Sequence, residues 1–183
     1  MINFHLLSVP KEHNAIESVY IFKYMNRFFM KRIVPIISFV LISLTVGYIS
    51  KNIQDPSMQE WYPSLATSSL NPPGIVFAIV WPILYLLMGI SAGLLWRIRS
   101  IYTWLTMMLF FVQLGLNLLW SVAFFGMQSP LLGLVILIML LMAVTLYIVV
   151  AYMQNRAAAL LNIPYLLWLL FAFYLNGYVV LSN

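Results

Sequence analysis

Hydrophobic positions gather into five long blocks separated by short polar breaks. The clearest block runs from Ile75 to Trp96 without a charged residue. Pro72-Pro73-Gly74 opens it, and Arg97 and Arg99 follow it. A helix of roughly 20 apolar residues crosses a ~30 Å hydrocarbon core. Prolines cost least at a helix start, and a tryptophan beside arginines suits a membrane interface. Similar blocks predict further spans at about 33–49, 102–125, 130–152 and 157–181, the last interrupted by Asn162 and Pro164. Most connections are short, which makes sequential helices antiparallel. The predicted fold class is an all-α membrane protein, a five-transmembrane-helix bundle occupying residues 33–183.

Two segments break the pattern. Residues 1–32 form a basic tail holding Lys11, Lys23, Arg27, Lys31 and Arg32, with Ile16 to Phe29 able to make a short interfacial helix. Met25 and Met30 are alternative starts, because MKRIVPIISFVLIS reads as a basic segment running into an apolar one. No small-residue cleavage site follows, so this block is expected to stay as the first span. The second segment is the polar stretch 51–73, with Asp55, Glu60, Trp61 and Tyr62. Its length suits either a lid over a binding site or a spacer carrying interfacial aromatics.

Composition agrees with the blocks. Charged residues are 7% of 183 positions, against about 25% in soluble domains. The lipid bilayer is therefore the expected partner. The net charge of +5 follows topology and gives no reason to expect nucleic acid. Lys11, Lys23, Arg27, Lys31, Arg32, Arg97, Arg99 and Arg156 fall on one side and only Lys51 on the other. The positive-inside rule then puts the N-terminus in the cytoplasm, with the 51–73 loop and the C-terminus outside the cell membrane. No cysteine is present, which removes disulfides, thiolate nucleophiles and cysteine metal sites. His5 and His13 have no partners at ligand spacing, so no metal site is predicted.

Helical periodicity picks out three polar-aromatic faces: Phe77, Trp81, Tyr85 and Gly89; Gln113, Asn117, Trp120, Ser121 and Phe124; Tyr165, Trp168, Ala172 and Asn176. Such faces serve either as packing between helices or as the wall of a shared pocket. Gly89 and Gly93 make a GxxxG that permits close backbone approach. No Asp, Glu, Lys, Arg or His lies within these spans. Proton relays and ion-coupled pumps usually need such groups at depth, and general acid–base catalysis needs them too. No catalytic residue is assigned. An uncharged aromatic pocket suits a flat, largely apolar ligand.

Four motifs carry a resemblance to a known family: Trp61-Tyr62 followed by Pro72-Pro73-Gly74, VFAIVWPILYLLMG from Val76, QLGLNLLWSVAFF from Gln113, and IPYLLWLLFAFYLN from Ile163. In this order the chain resembles the TspO/MBR family of tryptophan-rich sensory proteins and the translocator protein (peripheral benzodiazepine receptor). The resemblance implies a homodimeric five-helix bundle that binds tetrapyrroles such as protoporphyrin and haem, with no required cofactor. Carried over by position, it implies a pocket of Tyr62 and Pro73 from the loop and Trp81 and Tyr85 from span two. Span three would add Asn117, Trp120, Ser121 and Phe124, and span five Trp168, Ala172 and Leu175. Asn117 and Ser121 would orient the ligand, for sensing, sequestration or transport. The alternatives are a light-dependent porphyrin-degrading enzyme and a small-solute exporter.

The departures bear on these. The family's loop tryptophan is missing, since Thr67-Ser68-Ser69-Leu70 stands in its place, which counts against light-dependent chemistry. Span four lacks the family's acidic residue or tryptophan. No Lys or Arg follows Tyr178 to complete a sterol motif.

Overall fold

The computed structural model describes residues 11–98 and 100–183. It is all-helical: α1 (Lys11–Arg32), α2 (Val34–Glu60), α3 (Gly74–Trp96), α4 (Thr103–Ser121), α5 (Pro130–Gln154), α6 (Arg156–Leu160) and α7 (Ile163–Ser182). A π-helical turn, Val122–Gly126, extends α4. Among the described residues, five helical stretches are long and apolar enough to cross a membrane: Tyr20–Glu60, Gly74–Trp96, Thr103–Gly126, Pro130–Gln154 and Arg156–Ser182. Broad apolar surface, including Ile79, Leu131, Met142 and Leu167, is exposed around the outside of the bundle. In a bilayer that surface is solvated by lipid.

Two boundaries differ from the sequence pattern. The first is at the start. Residues 1–10, with His5, lie outside the described residues, but from Lys11 the tail is helical and joins α2 almost without a break. Ile33 N–H donates to Phe29 C=O at 2.9 Å and Ile37 N–H to Ile33 C=O at 3.0 Å, which carries the ladder across the junction. The second is at the end of α2, which continues through Lys51 to Glu60. The first half of the expected lid loop is therefore helix. Its polar residues find partners there: Lys51 pairs with Asp55 one turn on, and Asn52 donates to Tyr48 C=O at 2.8 Å. Ser57 Oγ donates to Phe125 C=O at 2.7 Å, on a neighbouring element. Pro56 sits inside this extension. It removes one N–H donor from the ladder.

The core lies where α2, α3, α4, α5 and α7 meet, around Met88, Ala92, Leu95, Phe110, Leu140, Val144, Tyr147 and Tyr165, all fully buried. α2 and α3 cross at close range. A Cβ added at Gly89 would stand 2.6 Å from Val40 N, and one at Gly93 2.8 Å from Ile36 N. The GxxxG is thus used within the chain, backbone against backbone. Asn162 and Pro164 part α6 from α7, and the Asn162 amide donates back to Ala158 C=O at 3.1 Å.

Candidate functional site

Beyond the Gly89–Val40 crossing, α2 and α3 face each other across a cleft of about 400 Å³. The α2 wall is Leu44, Tyr48, Lys51, Asp55 and Met58; the α3 wall is Gly74, Phe77, Ala78, Trp81, Pro82 and Tyr85. Both sets recur at three- and four-residue intervals, so each is one face of its helix. Gly47 leaves room at the inner end, where a Cβ would press within 2.6 Å of the Tyr85 ring.

Deeper in the bundle lies a smaller chamber of about 70 Å³. Its wall takes Gln54, Met58 and Tyr62 from the end of α2 and the turn after it, and Phe77 and Trp81 from α3. Trp120, Phe124 and Phe125 come from α4 and its π turn, and Ala172, Leu175, Asn176 and Val179 from α7. Gln54, Met58, Phe77 and Trp81 line both spaces and form the partition between them. The rings contact one another. Trp81 and Trp120 are stacked at 6.5 Å between centroids, and Trp120 and Phe124 at 5.5 Å. Trp168 meets Trp81 edge-on at 6.5 Å and Phe77 at 5.6 Å. The π turn inserts an extra residue into the helical period, and Phe124 and Phe125 are both buried there.

The polar side chains near these rings mostly bond one another. Tyr85 Oη donates to Asn117 Oδ1, and Asn117 Nδ2 donates to Tyr165 Oη at 3.1 Å. Gln54 Nε2 donates to Ser121 Oγ at 2.8 Å, tying the extension of α2 to α4. Asn176 accepts from Trp120 Nε1 at 3.4 Å and donates to Pro130 C=O at 2.9 Å. Among the described residues, the buried Trp168 Nε1 and both amide atoms of Gln113 have no hydrogen-bond partner; nothing in the structure explains the Gln113 orphan.

The turn Tyr62–Ser64 follows α2, and Tyr62 from it lines the inner chamber. Tyr62 Oη donates to Asn71 Oδ1 at 3.1 Å. Burial pushes the Tyr62 phenol above its ordinary pKa, the Asn71 bond opposing, so it stays protonated at neutral pH. The loop after Ser64 is fastened to α7. Asn183 accepts from Ala66 N–H at 2.9 Å and donates to Ala66 C=O at 3.2 Å, and Ser68 and Tyr174 share a hydrogen bond of 2.9 Å.

Of the residues picked out from the sequence, Tyr62, Trp81, Trp120, Phe124, Ala172 and Leu175 meet at the inner chamber, and Tyr85 lines the outer cleft. Asn117 and Ser121 lie behind these walls, spending their polar atoms on neighbours. Trp168 faces a shallow groove between α3 and α7, and touches the chamber through Trp81. Pro73 stands at the N-terminal cap of α3 and lines neither space. Sequence reasoning missed Gln54, Met58, Phe125 and Val179. Phe77 and Asn176 stood on the periodic faces but were not assigned to the site. The helical period that runs from Gly47 past Lys51 carries Gln54 and Met58 on the same face of α2.

These features define a multi-pass helical membrane protein with a small aromatic chamber inside the bundle. The TspO/MBR family model matches residues 39–181. The chain is 39% identical over 151 residues to the tryptophan-rich protein TspO of Archaeoglobus fulgidus, covering 82% of this chain and 98% of that one. It is 35% identical over 157 residues to TspO of Chlorobaculum tepidum, covering 84% and 98%. With the human translocator protein it shares 32% identity over 153 residues, covering 82% and 90%. The chain belongs to the TspO/MBR family.

Proposed function

We propose that this protein binds a planar, largely apolar ligand, a tetrapyrrole such as protoporphyrin or haem, within the aromatic space between α2, α3, α4 and α7. It acts there as a sensor, store or carrier in the cytoplasmic membrane. The observation that carries this reading is the partition. Phe77 and Trp81 stand between a cleft of about 400 Å³ and an aromatic chamber of about 70 Å³. Ligand sites span about 300–1,000 Å³, so the chamber alone is too small and the cleft is not. A flat ring enters through the cleft and stacks on Trp81, and on Trp120 once Phe77 and Trp81 rotate. Trp168 backs the partition from the α7 side.

The distribution of Lys and Arg supports an N-terminus in the cytoplasm and a lid outside. A homodimer accords with the wide apolar surface of the bundle. Gly89 and Gly93 are already spent on the α2–α3 crossing, so its interface lies elsewhere. The test is a protoporphyrin titration of the purified protein in detergent, read by tryptophan emission. Saturable quenching is expected. Quenching that rises linearly with no plateau contradicts the reading.

A further inference from the structure

The cleft has a charged rim on an otherwise apolar space. Among the described residues lining the cleft and the inner chamber, only Lys51 is cationic. Its partner in the structure is Asp55, one helical turn on, and both side chains are more than two-fifths exposed. Leu44, Tyr48, Lys51, Asp55 and Met58 form a face about 21 Å long at 1.5 Å per residue. The ammonium of Lys51 therefore stands beside an apolar slot, with Phe77, Ala78, Trp81 and Pro82 across from it. A cation there does nothing for a purely apolar ligand. A carboxylate, in contrast, cannot enter hydrocarbon unpaired, and it gains from a cation at the mouth while its ring fills the slot.

We propose, resting on the reading above, that the α2–α3 cleft is the seat of a ligand with a planar apolar body and at least one peripheral carboxylate. The body lies against Phe77, Trp81 and Pro82, and the carboxylate pairs with Lys51. Asp55 holds Lys51 in place when the cleft is empty and competes with the incoming carboxylate. The two charges thus act in opposite directions. Lys51 selects for an acidic ligand, and Asp55 weakens its binding.

The test compares protoporphyrin with its dimethyl ester, which keeps the ring and lacks the free carboxylates, in the wild type, Lys51→Gln, Lys51→Arg and Asp55→Asn. Both positions are exposed, so folding is not at stake, and thermal melting of each variant checks this. Protoporphyrin affinity is expected to fall about two- to fivefold in Lys51→Gln, the size of an exposed charge contact. It should be kept in Lys51→Arg and rise by a similar factor in Asp55→Asn. Affinity for the ester should stay unchanged throughout. Salt should weaken protoporphyrin in the wild type and not in Lys51→Gln. If both ligands bind saturably but Lys51→Gln alters neither, or alters both equally, the assignment of Lys51 is overturned while tetrapyrrole binding stands. If the wild type binds neither ligand saturably, tetrapyrrole binding falls, and this seat with it.

Discussion

Gly89 of α3 lies against the backbone of Val40 of α2, with no room for a side chain between them: a Cβ there would stand 2.6 Å from Val40 N. This contact fixes where the two helices touch, and so where the cleft beyond them begins. Gly89→Val should lower stability by about 1–3 kcal/mol, the usual cost of overpacking. Thermal unfolding in detergent measures it. Gly115→Ala, where an added Cβ meets nothing within 4 Å, should leave the melting temperature nearly unchanged. Equal melting of the two variants would refute the tight crossing.

The loop after Ser64 is held by the Asn183 amide, which bonds both backbone groups of Ala66. Each such bond contributes about 0.5–1.5 kcal/mol. Asn183→Ala should loosen the loop, leaving the Ser68–Tyr174 bond as its tie to α7, and speed both binding and release of protoporphyrin by about two- to tenfold, with a much smaller change in Kd. Stopped-flow quenching reads both rates. Unchanged rates would mean that this loop does not gate access.

Asn117 is 1% exposed and joins Tyr85 to Tyr165. Its amide is committed to the two phenols. Asn117→Leu leaves both buried hydroxyls without this partner and should cost about 1–3 kcal/mol of stability. The count of protoporphyrin sites at saturation should not change, because Asn117 lines neither space. A variant that melts like the wild type yet loses the site would show that the amide meets the ligand directly.

The parts that could be read from the sequence are those governed by local rules. An uninterrupted apolar run such as Ile75–Trp96 is long enough to cross a bilayer, and the 3.6-residue period put Trp81 and Tyr85 on one face, as it did Asn117 with Trp120 and Ser121. The extension of α2 was hidden because Lys51, Asn52, Asp55 and Pro56 have the composition of a loop. What holds it helical includes Ser121 and Phe125, 67 and 68 residues away from Gln54 and Ser57. Phe125 was hidden for another reason: the π turn breaks the period that periodic reading relies on. Whether Asn117 faced a ligand or a neighbour depended on the Tyr85 and Tyr165 hydroxyls, which no spacing rule places.

In the proposed binding mode the ligand meets the inner tryptophans. Protoporphyrin quenching titrations of the wild type, Trp120→Leu and Trp104→Leu decide whether it does. Trp120 is stacked between Trp81 and Phe124, whereas Trp104 is 74% exposed on the outer face. Saturable binding is expected, weakened about two- to tenfold by Trp120→Leu, the size of one aromatic contact, and unchanged by Trp104→Leu. Binding that is equal in both variants, or weakened only by Trp104→Leu, would contradict it and leave the aromatic faces as packing.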